Sequence, residues 1–284
     1  MIYHNKRNIA ILLAAYNAEK YLSEQIDSII QQTFTNWTLY IRNDGSTDDT
    51  QKIISDYCLR YPDQIFEIDK GGYNLGCRNN FFKLLEVVES DYYMFCDADD
   101  VWLRNKVEIS YERITLLECS NSKMPILAHT DAIICNSDLE TISDSFWHST
   151  GLKPEKLTSF NYICVCCTVG GAKSIFNKKV KELIFPLADN DFMFDYWIAM
   201  NVAKYGIISV IDIPLIKYRQ HANNLLGVTY GNKNSIFSKL KLIKNLLSQY
   251  KSESDKLKTI GYGGFVKYLF YKLLVIVKTR FNLL

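Results

Sequence analysis

The chain has 284 residues, 48% hydrophobic and 23% charged, which excludes a disordered or fibrous protein and suits one large α/β domain with an appendage, or two small domains. The formal net charge of +2 is unevenly spread: from residue 233 onward eleven Lys and Arg stand against Glu253 and Asp255, a net of +9 that leaves −7 on the body. An acidic body with a basic end segment points that segment toward an anionic surface, with no nucleic-acid partner expected.

The eight cysteines form no CxxC pair, which argues against a zinc site or a disulfide framework and predicts free thiols in a reducing compartment. The opening MIYHNKRNIAILLAAYN runs directly into a strand-like segment without a cleavage site, so no signal peptide is expected and a cytoplasmic location follows.

Ile9–Ala14 is a short apolar run between polar residues, the pattern of a buried strand. Ala18–Gln32 carries Tyr21, Leu22, Ile26 and Ile29 at helical spacing, and Trp37–Arg42 is a second strand stopped by NDGSTDD. A helix over Asp48–Tyr61, a strand at Ile65–Ile68, a helix over Asn80–Glu89 and a strand at Asp91–Cys96 follow. This alternation predicts an α/β fold with a mostly parallel, doubly wound sheet through about residue 100. The polar clusters AAYN, RNDGST and CDADD all fall at strand ends, where ligands bind in such sheets, so three loops are expected to build one site.

Further on, Ile126–Cys135 reads as a strand, Ser137–Ser159 as a long polar stretch, Lys173–Ile184 as a helix, and Ile207–Ile211 and Leu215–Arg219 as strands. A shift to Lys and Leu near Gly231 divides the chain into a domain over 1–231 and a basic helical segment over 232–284. In the latter, Ile236, Leu240, Ile243, Leu247 and Tyr250 form a helical stripe among lysines. Phe265–Val277 is more apolar, contains Lys267 and Lys272, and is too short to span a bilayer. An interfacial helix and a helical hairpin packed on the body both fit this segment.

The strongest chemical signal is Asp97-Ala98-Asp99-Asp100 behind an apolar strand. Carboxylates two apart at a strand end can converge on a hard divalent cation, Mg2+ or Mn2+; a plain acidic turn fits a lone pair as well.

Taken together, AAYNAEKYLSEQIDSIIQQTFTNWTLYIRNDGSTDDT and DYYMFCDADDVW resemble the first half of family 2 glycosyltransferases, which have the GT-A type fold. NLGCRNNF, FDYW and YRQHANN continue the likeness to about Gly227 and resemble the bacterial rhamnosyltransferase-like branch. The resemblance implies inverting, metal-dependent transfer of a sugar, L-rhamnose first, from a dTDP- or UDP-sugar to a lipid-linked saccharide acceptor in bacterial surface polysaccharide synthesis. It implies a cytoplasmic enzyme peripheral to the inner face of an anionic membrane.

By position, Asp44 matches the carboxylate that recognises the donor base, and its alternative is a turn residue capping the next helix. Ala14, Ala15 and Tyr16 line the same nucleotide, and Arg78 stands where relatives place a basic residue, or is a solvated loop arginine. Asp97 and Ala98 face the ribose and a metal-bound water, Asp99 coordinates the metal, and His221 is a further ligand or a structural histidine. Arg219 would neutralise the departing diphosphate, with Asn223 and Asn224 nearby. Asp195 fills the place of the catalytic base, with Phe194 where many relatives carry His; a helix N-cap is its alternative. Trp102 and Trp197 read as sugar-stacking or core residues.

A nucleotidyltransferase is the first rival, disfavoured because AAYNAEKYL replaces a Gly-rich phosphate loop. A non-catalytic nucleotide-sugar-binding protein is the second, disfavoured because Asp44, Asp97, Asp99 and Asp195 are all present. No QxxRW follows the base, which argues against a processive synthase.

Overall fold

The structure, a computed structural model, describes residues 8–70, 72–188, 191–221 and 236–280. In chain order the elements are β1 (Ile9–Ala15), α1 (Leu22–Ile30), β2 (Trp37–Asn43), α2 (Thr50–Arg60), β3 (Ile65–Glu67), α3 (Cys77–Val87) and β4 (Tyr92–Asp97). Then come β5 (Val101–Trp102), α4 (Lys106–Ser120), β6 (Ile126–Cys135), β7 (Thr141–Ser143), α5 (Phe146–Thr150) and α6 (Phe160–Ile163). The rest are β8 (Ser174–Asn177), α7 (Lys178–Ile184), α8 (Phe194–Tyr205), β9 (Ile207–Arg219), α9 (Ile236–Lys256) and α10 (Phe265–Arg280).

One sheet runs in the order β3-β2-β1-β4-β8-β6-β9-β5, with β7 on β6. Every pairing among β1 to β4 is parallel, as the alternation predicts, and antiparallel partners enter with β8, β5 and β7. Strand β1 is apolar throughout because both of its faces are covered. Its side chains alternate: Ala10 and Leu12 enter a core shared with α3, α8 and α10, while Ile9, Ile11 and Leu13 enter one shared with α1, α2 and α4. Helix α1 buries Leu22, Ile26 and Ile29, one stripe at helical spacing.

The predicted helix over 173–184 needs correction, since Ser174–Asn177 is a strand wedged antiparallel between β4 and β6. Ile175 and Phe176 serve opposite cores, so these residues read apolar in a row for a reason unrelated to helix. The two strands expected at 207–211 and 215–219 are one, interrupted by a register shift before Pro214. Helix α4 was not foreseen: its buried face mixes Lys106 and Ser110 with Val107 and Ile114, which hides the hydrophobic period.

The basic segment packs on the body as a hairpin, with Leu257, Ile260, Tyr262, Tyr268 and Val275 buried in the first core. The expected boundary at Gly231 and the side chains of Ile236, Leu240 and Ile243 lie outside the described residues. No single helix among the described residues is long and apolar enough to cross a membrane. All eight cysteines are free thiols.

Lys106 is wholly buried, its ammonium over the Trp102 ring at 4.6 Å and without a hydrogen-bond partner. Burial pushes its pKa down to about 7 from 10.5, so the unfolded chain holds the proton more tightly and stability rises with pH across that window. Lys106→Met should raise stability at pH 7 by about 1 kcal/mol or more and abolish that rise, as read from denaturant midpoints at several pH values.

Candidate active site

The parallel register sets Ala15 beside Asn43 and Ala14 beside Asp97, so the ends of β1, β2 and β4 form one edge. Above it, the loops after β1 and β2 hold each other. Asn17, with a left-handed φ of 46°, donates its N–H to Ser46 Oγ (2.9 Å) and accepts from Thr47 N–H (2.9 Å). Ala18 N–H meets Thr50 Oγ1 at 2.8 Å, and Glu19 and Asp49 pair through Asp49 N–H to Glu19 Oε2 at 2.9 Å. Much of the YNAE and DGSTDDT signature is therefore spent on joining two loops.

Asp44 stands at the end of β2 but is only 2% exposed. Its Oδ1 accepts from Arg42 Nη1 (2.5 Å) and Leu75 N–H (2.8 Å), and its Oδ2 from Gly76 N–H (2.9 Å). No motif or spacing marks Arg42, which is fully buried and also bonds Asp69, Asn80 and the Tyr73 carbonyl. Ala15 is buried and Tyr16 is 53% exposed at the rim. Arg78 donates from Nε to the Phe192 carbonyl at 2.7 Å and lies over the Phe82 ring, tying α3 to the segment before α8. That contact makes it more than a solvated loop arginine.

At the end of β4, burial pushes the Asp97 carboxyl up, and the charges of Asp99 and Asp195 push it further. Asp99 Oδ2 sits 3.0 Å from His221 Nε2. Asp100 is buried and accepts Arg219 N–H at 3.0 Å. The Arg219 guanidinium binds the carbonyls of Asp99 (2.8 Å) and Ser137 (2.5 Å) and the Glu24 carboxylate. At 2% exposure this side chain faces protein and shapes the acidic turn. Tyr21 is the other residue the sequence reading missed. It stacks on His221 (centroids 5.0 Å apart) and lies under the Arg219 guanidinium at 4.4 Å. Asn223 and Asn224 lie outside the described residues.

Asp195 is the second residue of α8, so it is not the N-cap, a position held by Met193. Its Oδ1 accepts Tyr196 N–H at 2.8 Å and its Oδ2 accepts Gly171 N–H at 3.3 Å. Burial pushes its pKa up, partly offset by those N–H groups and by the Lys173 charge. Phe194 packs in the core against Phe81 (4.2 Å) and Phe95 (4.9 Å), an apolar anchor directly before Asp195. Trp102 and Trp197 are buried, hence core residues rather than sugar platforms. Asp97, Asp195, Asp44 and Asp99 all act on the half-buried Cys77 thiol, which burial first and these charges second push up to about 12. Carboxylates from three segments, the ends of β2 and β4 and the first turn of α8, thus lie within electrostatic reach of one thiol.

Among the described residues no group of three His, Cys, Asp or Glu forms a metal cage by itself. Mg2+ commonly takes only one or two carboxylates and completes its shell with phosphates and water. The crowded, mutually repelling oxygens of Asp97 and Asp99, with His221 alongside, suit a hard cation shared with a substrate.

The family model for glycosyl transferase family 2 matches residues 10–178, more than half of the chain. The chain belongs to that family. It is 26% identical over 258 residues to the dTDP-rhamnosyl transferase RfbG of Shigella flexneri, covering 86% of this chain and 83% of that protein. It is 23% identical to the UDP-Glc:alpha-D-GlcNAc-diphosphoundecaprenol beta-1,3-glucosyltransferase WfgD of Escherichia coli, over 74% and 76% of the two chains. Its fold matches S. aureus TarS 1-349 in complex with UDP-GlcNAc with a TM-score of 0.54 at 16% identity, over 88% of this chain and 71% of that one. A mannosyltransferase from Pyrobaculum calidifontis in complex with GDP-Man and Mn2+ matches at 0.51 and 14% identity, over 74% and 56%. The protein is a glycosyltransferase of GT-A type fold, which sets aside the nucleotidyltransferase and the non-catalytic reading.

Gly171 has no room for a side chain: a Cβ would come within 2.5 Å of the Phe194 ring. Gly171→Ala should push Phe194 and the Asp195 beside it out of place. Sugar-transfer kcat is expected to fall about tenfold or more, since misplacements near 1 Å carry such costs, with the circular dichroism spectrum retained.

Proposed function

We propose that this enzyme transfers a sugar, L-rhamnose foremost, with inversion, from a dTDP- or UDP-sugar to a saccharide acceptor carried on a lipid, in bacterial surface polysaccharide assembly. The observation that carries the reading is the convergence of Asp44, Asp97, Asp99 and Asp195 at the carboxyl edge of the sheet. The similarity to RfbG supports the rhamnose and thymidine choice, and the similarity to WfgD supports an acceptor on a lipid diphosphate. Peripheral contact with an anionic membrane, at the cytoplasmic face, belongs to the same proposal and draws on the net charge of +9 beyond residue 232.

Ala14, Ala15, Tyr16 and Arg78 flank the nucleotide in this reading. Asp44 Oδ2, with one hydrogen bond, keeps an acceptor site for the imide N–H of uracil or thymine, and base entry there entails movement of residues 72–76. Asp97 and Ala98 meet the ribose. Asp99 and His221, with Asp97 through water, would hold Mn2+ or Mg2+, which supplies charge neutralisation for the leaving diphosphate. Asp195 takes the proton of the acceptor hydroxyl as the oxygen attacks the anomeric carbon opposite the diphosphate. Its raised pKa makes it a stronger base than an ordinary aspartate while Gly171 and Tyr196 N–H groups aim its oxygens.

Asp195→Asn should lower kcat by about 10²- to 10⁴-fold with donor affinity and Tm nearly unchanged. The wild-type enzyme should lose kcat/KM as pH falls through the Asp195 pKa, at a value above the ordinary 3.8, because only the ionised carboxylate accepts the proton. Transfer at near wild-type rate by the variant would place the base elsewhere.

For the cation, Asp99→Asn and EDTA treatment of the wild type are each expected to abolish transfer, and Asp97→Asn to act more mildly. Activity that persists in EDTA would remove the metal from the reaction.

A further inference from the structure

Helix α10 is amphipathic in the wrong sense for a helix docked on a soluble body. Its inner side carries the polar groups. Lys272 Nζ donates to the Val165 carbonyl (2.6 Å), Lys278 Nζ to Tyr162 Oη (2.9 Å) and Lys267 Nζ to the Tyr262 carbonyl (3.0 Å). Asn161 Nδ2 donates to Tyr271 Oη at 3.0 Å, while Tyr268 and Val275 are buried among the same contacts. The outer side is Val266, Phe270, Leu273, Ile276 and Val277, which are 82%, 56%, 52%, 45% and 44% exposed. At 100° per residue these five fall on one face, and none of them carries a charge or a hydrogen-bonding side chain. Single exposed apolar residues are ordinary, but an unbroken stripe of five over three turns marks a binding surface.

We propose that this outer face of α10 seats the enzyme in the headgroup–acyl boundary of a membrane by apolar insertion, independently of charge. Three observations select lipid as the occupant. From residue 236 to 280 ten Lys and Arg stand against two acids, a net segment charge of +8 whose sign suits an anionic leaflet. The stripe is about 16 Å long and one helix wide, narrow for the roughly 800 Å2 per partner of a stable protein interface, and suited to a burial depth of about 5–10 Å. Finally, α9 and α10 together have the length and composition of a span bent by 112°, yet Leu257, Ile260, Tyr268 and Val275 are committed to the protein core. The pair is thus unavailable to cross a bilayer and can offer it only one face. The inference rests on the membrane contact in the proposed function and changes its nature, from electrostatic adhesion of a basic tail to insertion of a defined apolar face.

The test is flotation of the full-length protein with phosphatidylcholine vesicles and with vesicles that also contain phosphatidylglycerol, at low and at molar salt, alongside light scattering. The wild type is expected to float with neutral vesicles and to remain bound at molar salt, with phosphatidylglycerol adding affinity that salt removes. Phe270→Glu and Leu273→Glu, both at exposed positions, should each weaken binding to neutral vesicles by about tenfold or more while Tm and nucleoside diphosphate release from the donor stay at wild-type values. Binding only to anionic vesicles, and lost in salt, would overturn the proposal in favour of electrostatic adhesion. A wild-type dimer that either variant dissociates would overturn it in favour of a self-interface. Donor turnover is read separately, so loss of the sugar-transfer reading and loss of this one give different results.

Discussion

A guanidinium with no access to water must be matched by protein, and Arg42 is that constraint in this enzyme. Its five donors face the Asp44 carboxylate, the Asp69 carboxylate, the Asn80 amide and the Tyr73 carbonyl. An uncompensated charge here would cost several kcal/mol. The loop between β3 and α3 is therefore bound to the end of β2, and α3 is bound to both. Because β1 and β4 lie in register with β2, the carboxylates of the cleft inherit their spacing from this buried pair.

A second layer of cations stands behind the acids. Arg219 organises the turn at Asp99 and Asp100 from the protein side, and Lys173 acts on Asp195. The acids themselves remain crowded enough that burial and mutual repulsion push Asp97 and Asp195 upward. Such a site is poised for substrate-borne or cationic neutralisation, since binding relieves a cost already present in the fold. Phe194 shows how the chain holds Asp195 without a polar neighbour. Its ring is locked between Phe81 and Phe95, and the close approach of Gly171 gives the carboxylate its N–H partner.

The first hundred residues were readable because the central strands β1 and β4 are short, apolar and buried on both faces, and β1, β2 and β4 end in residues with strong turn chemistry. Asp97 and Asp99 stand out as carboxylates two apart behind an apolar strand, whereas Asp44 and Asp195 stand out only through the resemblance to family 2 glycosyltransferases. Arg42 was not, since alternation within a strand says nothing about a charged side chain that turns inward to find partners distant in sequence. Tyr21 reads as an ordinary apolar position at helical spacing, and only the return of β9 reveals it, just before α1, as the platform for His221 and Arg219. Helix α4 and strand β8 failed for opposite reasons. The first buries polar residues and so lacks a period, and the second is continuous with a helix and shares its apolar look.

The hairpin has a consequence for how the molecule is made. Leu257, Ile260, Tyr262, Tyr268 and Val275 close the same core that Ala10 and Leu12 open near the start of the chain. During synthesis that core stays unfinished, with β1 and α8 partly uncovered, until residues beyond 275 have cleared the ribosome. Nascent chains halted before that point would expose apolar surface and become clients of chaperones or proteases.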